Sequence, residues 1–324
     1  MSPLRSIPPC GTGRITLALL AVVPAVMAYP WRSTRDQWVL GVAVAVVIVL
    51  LGWWRGLHFT TILRRRLAMV RRTGGVVPES GSATTATALL RIGPPIGASD
   101  VLPLPLIARY LDRYGVRVDK IRITSRDNAS DVSRRETWIG LTVSAADNLA
   151  ALRARSPRIP LHETAEVAAR RLADHLREIG WEAGGVAPDD VPRLLAPNAR
   201  ETWRGMQLSA SDYVAAYQVR IDDGLAETLD AIRSHAARET CTALEIAGDR
   251  SHRTIAAACA FLTDTLPAGA APLAGLTPQR GNHRPAQAAL DLLSTQRLDG
   301  HTDEPAGLLA RLAWPTPEAE TART

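Results

Sequence analysis

Two apolar stretches near the N-terminus constrain this chain more than any other feature. Ile15 to Trp31 gives 17 residues without a charge, and Gln37 to Trp54 gives 18 more. A helix of roughly 17–25 residues crosses a hydrocarbon core of about 30 Å. Each stretch is therefore read as a transmembrane helix, the second running on as a cytoplasmic extension to residue 63. Trp31, Trp38, Trp53 and Trp54 stand at the ends, where amphipathic rings favour the membrane interface. Flanking arginines can snorkel, which helps short spans, and bilayer helices tolerate a kink such as the one Pro24 imposes. Two other readings fit the same residues: a pair of buried core helices, and a signal peptide with Val26-Met27-Ala28 resembling its cleavage site. The loop between the stretches is too short to open a mature domain ahead of a further span, which favours a helical hairpin.

Charge sharpens this reading. The chain of 324 residues carries a formal +6, with a pI near 9.8, a balance that invites a nucleic-acid function. The excess is not evenly spread. Residues 1–72 hold ten Arg and one acid, a net of +9, while residues 73–324 hold 28 basic and 31 acidic residues, a net of −3. A nucleic-acid binder needs clustered positive charge on its folded part, so that class is disfavoured. Arg55, Arg64, Arg65, Arg66, Arg71 and Arg72 follow the second stretch. By the positive-inside rule they place both termini in the cytoplasm with a short loop outside, giving a two-span membrane protein. The expected membrane-interface residues are Trp31, Trp38, Trp53, Trp54, Arg55, Arg64, Arg65 and Arg66. The same arginines can lie against anionic headgroups.

The remainder has the texture of a water-soluble domain, and hydrophobic residues at 46% of the chain supply its core. The organisation read from sequence is a cytoplasmic tail over 1–14, spans at 15–31 and within 37–63, a short external loop at 32–36, an Arg-rich exit and linker over 64–100, a cytoplasmic mixed α/β domain over 101–314 and a disordered tail over 315–324. The fold class is thus a transmembrane helical hairpin plus a sheet with flanking helices. Leu161–Ile179 is the clearest helix, with Pro160 presetting its start, Glu163 in its first turn and Gly180 ending it. Leu104–Tyr114 reads as another, stopped by Gly115. Strands are expected at Ala86–Ile92, Val116–Thr124, Glu136–Val143, Thr202–Leu208 and Tyr213–Ile221, with a hairpin of Thr240–Ile246 and Arg253–Phe261 across Gly248-Asp249. Arg135-Glu136-Thr137-Trp138 recurs as Arg200-Glu201-Thr202-Trp203, and Arg238-Glu239-Thr240-Cys241 is close to it.

Catalytic motifs are not found. Gly93-Pro94-Pro95-Ile96-Gly97 lacks the Lys-Ser/Thr of a phosphate loop, and no GxGxxG follows a strand. The seven histidines form no HExxH and no Cys/His cluster at metal spacing. The three cysteines, Cys10, Cys241 and Cys259, are widely spaced and make no disulfide framework. Asp189-Asp190 and Asp222-Asp223 read as turn or cap residues. The most functional-looking loops are Gly281-Asn282-His283-Arg284 and Asp299-Gly300-His301-Thr302-Asp303. No catalytic, cofactor-binding or metal-binding residue is expected, and no cofactor. A membrane-anchored transferase or hydrolase of the cell envelope, its chemistry retained or lost, stays open as the alternative class.

Several strings carry a resemblance. They are Ala28-Tyr29-Pro30-Trp31-Arg32-Ser33-Thr34-Arg35-Asp36, Trp54-Arg55-Gly56-Leu57 with Phe59-Thr60-Thr61-Ile62, Ile107-Ala108-Arg109-Tyr110-Leu111-Asp112-Arg113-Tyr114-Gly115, the run from Arg170 to Glu182, and Leu298-Asp299-Gly300-His301-Thr302-Asp303. With two N-terminal spans and an Arg-rich exit, the chain resembles the EccE family of type VII (ESX) secretion systems, in the branch of the third mycobacterial system. The resemblance implies a structural, non-enzymatic subunit of an inner-membrane complex with EccB, the EccC ATPase and EccD. It also implies a link to export of small effectors and to siderophore-dependent iron and zinc acquisition. The hypothesised docking residues are Arg170 and Arg177 on the long helix and Arg109 and Arg113 on the first.

Overall fold

The computed structural model describes residues 20, 22, 23, 26, 27, 34–51, 53–54, 57–72, 84–95, 101–129, 131–155, 160–192, 199–249 and 251–314. The chain divides into two compact units, Met1–Gly75 and Val76–Thr324.

In the first unit, helix α1 spans Thr34–Leu51. The two-residue strands β1 (Trp53–Trp54) and β2 (Leu57–His58) then pair as a tight hairpin, and helix α2 follows over Phe59–Arg72. The extension expected to continue the second span is thus a separate helix. Leu20, Val23, Val26, Met27, Val42 and Val44 are exposed, and Trp38 is 72% exposed. Among the described residues no helix is long and apolar enough to cross a membrane. Most of the stretch 15–31, and with it much of the expected hairpin, lies outside the described residues.

The second unit is built on a 12-stranded antiparallel sheet. In chain order its strands are β3 (Thr85–Pro95), β4 (Asp112–Arg113), β5 (Val116–Asn128), β6 (Asp131–Ser144), β7 (Trp181–Gly185), β8 (Arg200–Glu201), β9 (Met206–Gln207), β10 (Tyr213–Val219), β11 (Glu239–Gly248), β12 (Arg253–Thr263), β13 (Leu276–Pro278) and β14 (Thr302–Asp303). The main path runs β7-β3-β6-β5-β11-β12-β10-β9-β8. β3, the strand expected within the linker segment, therefore lies inside the sheet. The helices are α3 (Leu104–Ala108), α4 (Leu149–Arg155), α5 (Leu161–Glu178), α6 (Leu225–Arg233), α7 (His283–Leu290) and α8 (Leu308–Arg311).

Alternation along the strands assigns the two faces. On one face Leu90, Ile139, Leu141, Ile123, Leu244, Ile246, Ile255 and Phe261 pack with Ala165, Leu172 and Leu176 of α5 and Leu225, Leu229 and Ile232 of α6. Trp314 closes this core, donating its Nε1–H to Ser125 Oγ at 3.0 Å. The opposite face is paved with small residues, Ala216, Cys241, Ala243, Ala256 and Ala260, and is covered by Ala289 and Leu290 of α7 and by Leu298. A non-helical strap, residues 291–301, continues this cover.

A bulge in β5 decides what the strap meets. Val118 pairs with Val143 and Lys120 with Thr142, so Asp119 is extra. An inserted residue exchanges which side chains face which way. Before it Val116 and Val118 enter the helix-covered core; after it Ile121 and Ile123 do. Lys120 and Arg122 are thereby aimed at the strap.

Candidate functional site

Under the strap lies a buried ionic cluster. Arg122 and Glu245 are direct cross-strand partners on β5 and β11. Arg122 Nε and Nη2 donate to Glu245 Oε2 at 2.9 and 2.5 Å, and Lys120 Nζ stands 3.5 Å from the same oxygen. All three residues are almost wholly removed from solvent. The strap completes the set. Its carbonyls at Asp291 and Gln296 accept from Arg122 at 3.2 and 2.5 Å, Ala289 O of α7 accepts from Arg122, and Gln296 O also accepts from Lys120. In return Glu245 Oε1 accepts the Leu298 amide at 3.2 Å and lies 3.0 Å from His301 Nε2. Outside the buried core, Arg297 pairs with Asp119 at 2.5 Å.

The electrostatics follow from this geometry. Burial pushes the Glu245 carboxyl upward, but the hydrogen bond from His301 and the charges of Arg122 and Lys120 outweigh it and hold the group at about 2. Lys120 is pushed down to about 7, first by burial and then by the Arg122 charge, against the pull of Glu245. A lysine near neutrality is the kind of group that can serve as a base or nucleophile. Here its Nζ is spent on Gln296 O and Glu245 beneath the strap. The cluster is a staple: it fixes the strap to the sheet.

The two loops that looked most functional in the sequence are fasteners of the same cover. His283 Nδ1 accepts the Ala216 amide at 3.2 Å, and the Arg284 amide donates to Glu201 Oε1 at 3.2 Å, which tie the start of α7 to the sheet. His301, besides meeting Glu245, lies 3.1 Å from Thr254 Oγ1 through Nδ1. Among the described residues no group of three or more His, Cys, Asp or Glu is placed to hold a metal ion.

The expected docking residues divide. Arg109 and Arg170 are exposed, and Arg177 is exposed with an ion pair to Asp174 at 2.9 Å. Arg113 instead joins a ring cluster that brings the two chosen segments together. Tyr110 Oη donates to Arg171 O at 3.0 Å, and Arg113 Nη1 lies 3.2 Å from His175 Nδ1. The Tyr114 ring is held between two guanidinium groups, Arg113 at 4.9 Å and Arg171 at 4.7 Å from its centroid. Tyr114 and Gly115 both have positive φ, 56° and 71°, and they form the two-residue turn between β4 and β5. That backbone suits a type I′ hairpin. The segment expected as a helix to Tyr114 is accordingly α3, one 3₁₀ turn over Arg109–Leu111, and this hairpin. Sequence reasoning missed Tyr114 and Arg171; the Tyr-Gly pair before an alternating strand was the available signal.

Of the expected membrane-interface residues, Trp38 and Arg64 and Arg66 are exposed and Arg65 is half-buried. Trp53 and Trp54 form β1. Trp31 and Arg55 lie outside the described residues.

An antiparallel sheet whose second face is closed by a strap stapled through buried charges defines the class, a mixed α/β domain with a covered sheet. Comparison with known proteins makes the lineage specific. Residues 131–241 match the family described as "Putative type VII ESX secretion system translocon, EccE". The chain is 63% identical over 322 residues to the "ESX-3 secretion system protein EccE3" of Mycobacterium tuberculosis (strain CDC 1551 / Oshkosh), covering 98% of this chain and 96% of that one. It is 52% identical over 289 residues to the protein of the same name from Mycolicibacterium smegmatis, covering 89% and 90%. The chain belongs to the EccE family.

Proposed function

We propose that this chain is a structural subunit of an inner-membrane type VII secretion complex, held by two N-terminal spans and bracing the assembly with its folded unit. Its partners in this reading are EccB, the EccC ATPase and EccD, its termini and main domain are cytoplasmic, and its system serves siderophore-dependent iron and zinc acquisition. The observation that carries the proposal is the contrast between the two units. The second packs apolar side chains against both faces of its sheet, whereas the first leaves Leu20, Val23, Val26, Met27, Trp38, Val42 and Val44 exposed. Exposed apolar surface of that extent marks a membrane or partner contact, and the adjoining basic segment has the sign that cytoplasmic flanks carry. The sealed setting of Lys120 supports bracing over catalysis.

The test is extraction of native membranes with alkaline carbonate, combined with protease treatment of sealed inverted vesicles. The chain should stay in the pellet and its second unit should be digested from the cytoplasmic side. Release into the wash, or protection of that unit, would contradict the anchoring and orientation.

A further inference from the structure

We infer that α2 is an in-plane membrane helix that binds anionic lipid headgroups; this rests on the membrane anchoring proposed above. Three observations on the helix converge. First, β1 and β2 separate α2 from α1, so it is a helix of its own and not the unbroken tail of a span. Second, its 14 residues contain five arginines and no acid. Helices that live in water mix the two signs at i,i+4 spacing; a helix of one sign repels itself unless an opposite surface neutralises it. Third, its side chains fall into two sectors. Thr61, Ile62, Arg65, Ala68 and Met69 are half-buried, while Leu63, Arg64, Arg66 and Leu67 point outward. Leu63 and Leu67, one turn apart, are 58% and 52% exposed, between exposed Arg64 and Arg66.

Leucines one turn apart with arginines on both flanks match what an interfacial helix presents: apolar groups enter the headgroup–acyl boundary and the flanking cations reach phosphates. The charge selects the surface. A run of this sign concentrates at a leaflet containing anionic lipid. The shared chemistry is a phosphate-rich, negatively charged plane with hydrocarbon beneath it.

The experiment uses the full chain with Cys10→Ser and Leu67→Cys, Cys241 and Cys259 being buried. An environment-sensitive fluorophore is placed at position 67, and the protein is reconstituted into vesicles of phosphatidylcholine alone or mixed with phosphatidylglycerol. With phosphatidylglycerol present the emission should shift to the blue and be quenched by brominated acyl chains. Arg64→Glu with Arg71→Glu should abolish both effects while the chain stays in the vesicles. A label that remains in water in the mixed vesicles overturns the inference, as does a buried label that brominated chains do not quench, which indicates a protein cover. Loss of the whole chain from the vesicles under alkaline wash points instead to failure of the anchoring reading.

Discussion

At the scale of single residues, Glu245 matters most in the second unit. It satisfies Arg122, Lys120, His301 and the Leu298 amide at once. Removing one member of a buried ionic set leaves an uncompensated charge and costs about 3–5 kcal/mol. Glu245→Gln should therefore lower the stability of the detergent-solubilised chain by about that much in urea titrations. Lys120→Met should change it by less than about 1 kcal/mol, because Arg122 still neutralises Glu245 and apolar replacement of a buried ion is often neutral. The pH dependence separates the two groups further. Glu245 titrates lower in the folded state, near 2, than its ordinary 4.5, so its contribution is complete above about 4.5 and is lost as pH falls toward 2. Lys120 also titrates low, near 7 against 10.5. The unfolded chain thus holds its proton over that interval, and stability rises as pH goes from about 7 to 10.5. Lys120→Met should flatten the alkaline rise and leave the acid loss in place; an unchanged alkaline limb would contradict the assignment.

At the scale of elements, the strap is held by shape as well as charge. Gly300 has φ +84°, and a Cβ there would run into the Gln218 side chain on β10. Gly300→Ala should loosen the strap and speed hydrogen exchange at the Leu298 amide, whereas Gly269→Ala, where a Cβ meets nothing, should leave that amide protected. Equal protection in both variants would mean the strap does not depend on this approach. The turn of β11 into β12 shows a comparable constraint: Gly248 has φ +102° and a Cβ would meet His252 O. Asp249 accepts both the Ser251 and His252 amides at 2.8 Å.

Much of this was legible in the sequence. The α5 helix spans Leu161–Glu178 of the expected Leu161–Ile179, and the β11–β12 hairpin falls where Gly248-Asp249 placed it. The bulge is not: the spacing predicts one alternating strand over Val116–Thr124, whereas the register slips at Asp119. What was not legible is the second cover. The spacing of Val116–Thr124 predicts a half-buried strand, because alternation reports one buried face and is silent about a later segment laid over the other. Residues 291–301 have no helical or strand period to announce that role. The helix expected over Leu104–Tyr114 stops at Leu111, after α3 and the 3₁₀ turn, because Tyr114 and Gly115 take positive φ as the turn of a hairpin.

At the scale of the whole chain, formal charge divides into a basic N-terminal quarter and a mildly acidic remainder. The basic part belongs to the proposed membrane contact, and the stapled sheet of the second unit offers partners a stiff surface. The most direct measurement is a mild-detergent pull-down of the tagged full chain from its native membrane, with subunits identified and their ratios determined. EccB, EccC and EccD should co-purify in fixed proportion, and Arg170→Glu with Arg177→Glu, changes on exposed positions of α5, should reduce their yield several-fold without reducing that of the chain. Recovery of the chain alone, in amounts that its wild-type surface does not alter, would contradict its place as a bracing subunit.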